Sequence, residues 1–340
     1  MYKLNGEDIL KIYKISIFIL MIMIFSVGFA FAEDSNLTVS DLGVTDDAVI
    51  SEGESASYGD LQTKFPTGVS GNVDLTTDYT FDETNDNYLQ VEINGTAGKK
   101  ITINGNNKTI DANGKAGGFI IKDADVTIND LTFKNAAKSA IILQNSTLFL
   151  NNVDFADNKD NESGAAIFCN FGAVTVNNAL FSNNYAPKGA AIYVARGELD
   201  IISSTFVNKN PVDWSLVYAE RSTVGIQASI FENTTSKYAT ALYAEASNVN
   251  VINSKFSRLS ANLTAGAIAT KRATNLTVRN CEFDTVNSTK NGGAIFVDVN
   301  ADQPVLSGTT IINATKFTNC YSGFGGAILQ LGGNLYEFVQ

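Results

Sequence analysis

Two acidic residues in the middle of the chain have the spacing of a catalytic pair, provided that the chain coils. Glu220 and Glu245 lie one sequence repeat apart, so stacked repeats would bring their backbones to about 4.8 Å from each other. Carboxyl groups about 5 Å apart, or about 6.5–9.5 Å apart, serve glycosidases. Arg196 and Arg221 would stack in the same way. The competing interpretation is a solvated ladder of alternating charges at a corner, because these residues obey the repeat instead of interrupting it.

The residue types that the chain lacks narrow the chemistry further. Its 340 residues include no histidine, which excludes Ser-His-Asp and Cys-His catalysis. Cys169, Cys281 and Cys320 fall at different positions of different repeats, so we expect free thiols, not disulfides or a metal site. Asp123 and Asp125 are the one candidate pair for calcium, and no other cofactor is expected. The net charge of −11 disfavours nucleic acid and anionic lipid as partners.

An aromatic column is the better candidate for a ligand surface. Five rings each follow the same apolar position of the repeat: Phe168, Tyr193, Tyr218, Tyr243 and Phe296. Because side chains alternate along a strand, these rings should point outward and stack at a spacing of about 4.8 Å. Such a strip suits contact with sugar rings or with a partner protein, and Trp214 would extend it. The alternatives are rings that only stabilise the coil, or core rings if the register is reversed.

A repeat of about 25 residues must position these groups. Each repeat has a strand that closes on a phenylalanine: Phe133, Phe155, Phe181, Phe206, Phe231, Phe256, Phe283 and Phe317. Apolar residues alternate with a period of two, and Val, Ile, Thr, Asn and Gly dominate, which favours strands over helices. The period predicts an all-β fold, a right-handed parallel β-helix (solenoid) of roughly ten rungs with about 25 residues and three short strands in each rung.

Residues that tolerate a left-handed backbone, mostly Asn and Asp, predict two corners in each rung. The first set precedes each phenylalanine by three residues: Asp130, Asn152, Asn178, Ser203, Ala228, Asn253, Asn280 and Ala314. The second set follows by two residues: Asn135, Asp157, Asn183, Asn208, Asn233 and Asn319.

The chain divides into four segments. Residues 1–32 have the features of a signal peptide, with lysines before an apolar run and a small-x-small site at Ala30-Phe31-Ala32; an uncleaved anchor is the alternative. Residues 33–56 form an acidic lead that we expect to be flexible. Residues 57–125 are predicted to form an N-terminal cap, with a short helix beginning near Ser57, and irregular first rungs. Residues 126–340 carry the regular repeats, and we expect the last rung to be uncapped.

Four Asn-x-Ser/Thr sites share one place in the repeat. They are predicted to lie in the long loop between the phenylalanine and the next Gly-Ala-Ile segment: Asn161, Asn233, Asn262 and Asn287. A sugar attached there would disturb no strand pairing, so these are glycosylation candidates. The alternative is an unmodified polar loop.

The repeats resemble two known groups of proteins. Gly-Gly-Ala-Ile at 292–295 and 325–328, with Phe155–Asn158 and Phe181–Asn184 as Phe-x-x-Asn, is similar to the repeat of chlamydial polymorphic membrane proteins. Ile101-Thr-Ile-Asn-Gly-Asn-Asn-Lys-Thr-Ile-Asp111, followed by these repeats after an export signal, is more similar to the adhesin-like surface proteins of methanogenic archaea. Both groups are right-handed parallel β-helices of the pectin-lyase-like class.

The resemblance implies a secreted or cell-surface protein that contacts host or microbial surface glycans or proteins. It also leaves two alternatives open, a carbohydrate-active enzyme (polysaccharide lyase or glycoside hydrolase) and a structural protein of the cell envelope. Membrane contact is expected only through an uncleaved signal or another subunit.

Overall fold

The chain coils because each strand pairs in parallel with the equivalent strand one turn later. The computed structural model describes residues 55–338, apart from residues 88, 97, 273 and 300–307. The predicted signal peptide (1–32) lies outside the described residues, as does the predicted lead (33–56) except for its last two residues. The fold class is confirmed: the protein is an all-β parallel solenoid with about 25 residues per turn.

Each turn, called a rung here, has three faces. The third face is a sheet of ten strands, which corresponds to about nine turns. Its strands are β3 (Val91–Asn94), β5 (Phe119–Lys122), β7 (Ile141–Gln144), β9 (Ile167–Asn170), β12 (Ile192–Ala195), β15 (Val217–Glu220), β18 (Leu242–Glu245), β21 (Ile268–Lys271), β24 (Ile295–Asp298) and β27 (Ile328–Leu331).

The first and second faces belong to one continuous sheet. The first face contains β1 (Gly71–Asp74), β10 (Ala173–Asn177), β13 (Glu198–Ile202), β16 (Thr223–Gln227), β19 (Asn248–Ile252), β22 (Asn275–Arg279), β25 (Thr309–Asn313) and β28 (Asn334–Phe338). The second face contains β2 (Tyr79–Thr80), β11 (Leu180–Ser182), β14 (Thr205–Val207), β17 (Ile230–Ser236), β20 (Lys255–Ala261), β23 (Glu282–Ser288) and β26 (Lys316–Thr318). Three strands run through both faces: β4 (Lys100–Asp111), β6 (Asp125–Lys134) and β8 (Thr147–Ala156).

The phenylalanine of each repeat stacks on its equivalents inside the coil. Phe206 pairs in register with Phe231, and their ring centroids lie 4.5 Å apart with the planes 7° from parallel. Both rings are fully buried. Burial of one such ring contributes about 1.5–3 kcal/mol, and the ring pair adds about 0.5–1.5 kcal/mol. This column therefore holds successive rungs in one register.

The predicted corners are present. All eight residues of the first set have a left-handed backbone, with φ between 46° and 54°. Five of the six in the second set do as well, and Asn208 is the exception. The Asn208 side chain is buried like that of Asn184 in the preceding rung, and it donates to the Asn184 carbonyl. Asn208 follows its phenylalanine by two residues, whereas Asn184 follows its own by three. That shorter connection leaves out the left-handed residue.

The N-terminal end is closed by the predicted helix. Helix α1 (Tyr58–Thr63) begins with a capping box, in which the Ser57 hydroxyl accepts from the Asp60 N–H and the Asp60 carboxylate accepts from the Ser57 N–H. Tyr58 is buried and donates its hydroxyl proton to the Gly117 carbonyl at 2.9 Å. This is the single helix of the described residues, and it is too short to cross a membrane.

Candidate functional site

The aromatic column points away from the main core, as strand alternation predicts, but most of it is covered. Tyr218, Tyr243 and Phe296 are buried in a second apolar cluster outside the third face, whereas Phe168 and Tyr193 are half-buried. The rings do stack along the solenoid, with centroids 5.3 Å apart for Phe168 and Tyr193 and 5.2 Å apart for Tyr218 and Tyr243. The prediction of an exposed strip is therefore wrong for Tyr218, Tyr243 and Phe296.

Two aromatic residues from the long loops cover this column. Trp214 stacks on Tyr238 with ring centroids 4.2 Å apart, and its edge contacts Tyr218 and Tyr243 at centroid distances of 5.8 Å and 4.9 Å. Lys188 places its ammonium 5.2 Å from the Tyr218 ring. Burial, reinforced by the Glu245 carboxylate, raises the pKa of Tyr218 and of Tyr243 far above the usual range. A ligand could not reach these rings without displacing the loops.

The predicted carboxylate pair is held in place by neighbouring side chains. Glu220 of β15 pairs in register with Glu245 of β18. Glu220 accepts a hydrogen bond of 3.3 Å from the Tyr193 hydroxyl and lies 3.9 Å from an Arg221 nitrogen. Glu245 lies 3.3 Å from an Arg272 nitrogen, and its side chain is only 14 % exposed. Both carboxylates are thus acceptors in a charged ladder, which favours the structural interpretation of this pair.

A third corner joins the third face to the first, at the place where the charged ladder was interpreted as a corner. Seven of its residues have φ between 48° and 54°: Asp123, Asn145, Phe171, Arg196, Arg221, Ala246 and Arg272. Backbone bonds fix the column, because the Arg196 N–H donates to the Glu220 carbonyl and the Arg221 N–H to the Glu245 carbonyl, both at 2.9 Å. A residue with a side chain loses roughly 1–2 kcal/mol in this conformation. Arginine and phenylalanine are therefore unexpected at this corner.

Buried hydroxyl groups behind the third corner hold its backbone by hydrogen bonds. The Ser222 hydroxyl accepts from the Gly197 N–H at 3.3 Å, and the Ser247 hydroxyl accepts from the Ser222 N–H at 3.1 Å. Gly197 cannot be replaced without movement, since an added Cβ would lie 2.3 Å from the Gly172 carbonyl oxygen. The backbone at this corner is thus held firmly, and the side chains of Phe171, Arg196 and Arg221 are presented outward.

An open groove of about 640 Å³ runs along this corner. Arg196 and Arg221 line one side, and Glu198, Thr223 and Asn248 line the side toward the first face. The Arg196 guanidinium carbon lies 5.1 Å from the centroid of the Phe171 ring, in cation–π range. Phe171 itself is 54 % exposed. Phe171 lies next to the groove, since Gly172 follows it and lines the groove, and so adds an aromatic surface to the two guanidinium groups and the polar side chains there.

Arg196 and Arg221 were predicted from the sequence to be stacked charges, whereas Phe171 was not predicted to be a functional residue. The signal for Phe171 was available, because this residue stands four positions after the Ile of its repeat, in the same column as both arginines. The alternation of inward and outward side chains along strands does not reveal this column, because the column lies on a corner between two strands.

The four glycosylation candidates do not share one kind of position. Asn161 and Asn262 lie outside the strands and are exposed. Asn233 lies in β17 and Asn287 in β23, because the second-face strands of these rungs continue past the corner and pair again, as Thr234 does with Leu259. Asn233 is exposed, whereas Asn287 is half-buried and accepts a hydrogen bond of 3.1 Å from the Tyr321 N–H. The expectation of a loop is wrong for Asn233 and Asn287, and glycosylation of all four stays a prediction.

The remaining predicted groups make structural contacts. Asp123 accepts a hydrogen bond of 2.6 Å from the Asn145 side chain, which spans one rung. Within residues 55–338, gaps aside, no three His, Cys, Asp or Glu side chains are grouped as a metal site would require. Cys169, Cys281 and Cys320 are free thiols, as predicted, and the first two are buried.

No protein-family model and no curated protein matches the chain by sequence. Two solved structures are similar to it in fold. PfbA, a surface adhesin of Streptococcus pneumoniae, is 14 % identical with a TM-score of 0.41, over 75 % of this chain and 82 % of that one. The catalytic domain of a GH87 alpha-1,3-glucanase, solved in complex with nigerose, is 11 % identical with a TM-score of 0.30, over 87 % of this chain and 70 % of that one.

Proposed function

We propose that this protein is an extracellular, adhesin-like solenoid that acts by contact with polysaccharide or cell surfaces, and that the groove at the third corner is its contact site. The observation that carries the proposal is Phe171, a large ring that is 54 % exposed on a left-handed backbone. Neither packing nor backbone preference accounts for a phenylalanine there. An exposed ring beside polar groups suits stacking on a sugar.

The form of the molecule supports a binding role. Stacked rungs present equivalent side chains at regular intervals, which suits contact with a repeating polymer. The predicted signal peptide and the acidic composition agree with a protein that is exported and remains soluble.

A comparison of two exposed phenylalanines tests this proposal. The chain from Glu33 onward would be applied to a glycan array and to whole microbial cells, with Phe171→Ala and Phe149→Ala as matched variants. Phe149 is 46 % exposed on the first face and does not line the groove, so its removal is a control for lost apolar surface. We expect binding to be lost in Phe171→Ala and retained in Phe149→Ala. Equal binding by wild type and Phe171→Ala would overturn the proposed site.

A carbohydrate-active enzyme is the second candidate, because Glu220 stacks directly on Glu245 in the rungs beside the groove. Against it, both carboxylates are occupied by tyrosine or arginine partners. A structural envelope protein would show neither binding nor hydrolysis.

A further inference from the structure

We infer that the groove at the third corner recognises an acidic polysaccharide, one that carries carboxylate or sulfate groups along its chain. This inference rests on the proposed function and adds the class of ligand. It starts from the two arginines of the groove and their unused hydrogen-bonding capacity.

Arg196 forms no ion pair with any residue of the described chain. Its guanidinium lies over the Phe171 ring, an arrangement that leaves the N–H groups at the edge of the guanidinium free to donate. Arg221 is 58 % exposed, and its distance of 3.9 Å from Glu220 is too long for a hydrogen bond. A planar guanidinium has five donors in a fork that matches carboxylate or sulfate oxygens.

The arrangement of the three side chains fits a polymer that runs along the solenoid. Phe171, Arg196 and Arg221 occupy three successive rungs, and rungs are about 4.8 Å apart. That step is comparable to one sugar unit of an extended chain. A sugar that contacts the exposed part of the Phe171 ring would therefore place the acidic groups of the following units beside Arg196 and then Arg221. Ala246, in the next rung, leaves the groove open beyond the second arginine.

The two arginines stand out because the rest of the chain is acidic. The chain has a net charge of −11, so most of its surface repels an acidic polymer. In the groove, two guanidinium groups face one carboxylate, that of Glu198, with Glu220 behind Arg221. The two guanidinium groups thus offset the acidic surroundings at this corner. The Glu198 carboxylate should weaken binding of an acidic polymer. Its substitution should therefore strengthen binding, which is opposite to the effect expected for either arginine.

The test uses matched polymers that differ in charge alone. Binding of the chain from Glu33 onward would be measured by calorimetry with dextran sulfate against dextran, and with alginate against its propylene glycol ester. We expect binding of a charged polymer, weakened by raising the salt, and none of its neutral partner. Dextran sulfate and alginate distinguish sulfate from carboxylate as the preferred group.

Variants at the groove locate the site without disturbing the fold, because asparagine suits a left-handed backbone. Arg196→Asn and Arg221→Asn should each weaken binding about tenfold, and Glu198→Gln should strengthen it. Arg258→Asn is the matched control: Arg258 is also left-handed and exposed, but it lies at another corner. It should leave binding unchanged.

The outcomes separate this inference from the proposed function. Binding of neutral glycans or of cells that depends on Phe171, without binding of charged polymers, would overturn the acidic ligand and leave the contact function standing. Equal binding of poly-glutamate and of the acidic polysaccharides, unaffected by Phe171→Ala, would show general anion attraction and overturn the glycan class. Absence of all binding would overturn both.

Discussion

The guanidinium of Arg196 lies 5.1 Å from the centre of the Phe171 ring, and both residues have a left-handed backbone. Elsewhere the corners of this solenoid mostly use asparagine, aspartate, serine or alanine at such positions. The backbone conformation is therefore unfavourable for the residues present at three positions, Arg196, Arg221 and Phe171, whose side chains are displayed outward. This pattern is typical of functional sites.

The first prediction concerns the stability that is lost to this unfavourable backbone conformation. Arg221→Asn should raise the free energy of unfolding by about 0.5–1 kcal/mol, because asparagine relieves the strain at φ 51° and only a long, exposed ion pair is lost. Urea denaturation followed by circular dichroism would measure the change. Arg279→Asn is the control: this exposed arginine lies within strand β22, where asparagine is disfavoured, so no gain is expected. A loss of stability in Arg221→Asn would show that the left-handed backbone at Arg221 is not a source of strain.

The second prediction separates the buried tyrosines from the groove. Tyr243→Ala should lower the free energy of unfolding by about 3–4 kcal/mol, because the ring is buried against Trp214 and Tyr218. Phe171→Ala should change it by less than about 1 kcal/mol, since the ring is more than half exposed. Thermal unfolding of the two variants side by side would test this difference. Similar losses would mean that Phe171 has a packing role.

The repeat allowed the regular parts of the molecule to be predicted. The stack of Phe206 on Phe231 follows from alternation and period, and left-handed corners such as Asn178 follow from residue type. The cover over the aromatic column could not be predicted, because Trp214 and Tyr238 belong to loops whose path no period describes. Phe171 was missed for a related reason, since it breaks the residue preference of its own corner. The features that could not be predicted from the sequence are therefore those that depart from the repeat.

The third prediction addresses catalysis by the stacked carboxylates. Wild-type protein incubated with neutral and acidic polysaccharides, with and without calcium, should release no oligosaccharides, because Glu220 and Glu245 are held by Tyr193 and by arginines. Chromatography of the reaction products would check this. The double variant Glu220→Gln, Glu245→Gln should likewise retain ligand binding. Product release that this double variant abolishes, and that Glu282→Gln on the second face does not, would establish a carbohydrate-active enzyme instead.

The fourth prediction follows from the buried thiol of Cys169. Burial raises the pKa of this thiol to about 12, against 9.0 for the free group. Below about pH 9 the thiol is protonated in both the folded and the unfolded chain, so it costs no stability there. Between about pH 9 and 12 the unfolded chain loses the proton and the folded chain keeps it, so stability falls as the pH rises.

Cys169→Ala removes this effect, and alanine is already the residue of this column two and three rungs later, at Ala219 and Ala244. Urea midpoints at pH 7.5 and pH 10.5 should therefore differ less in the variant than in wild type. Buried tyrosines such as Tyr218 lower alkaline stability in both proteins, so the informative quantity is the difference between the two pH-dependent losses. An identical loss in both proteins would mean that the Cys169 thiol titrates in the folded chain as it does in the unfolded one, and that the column around it is open to solvent.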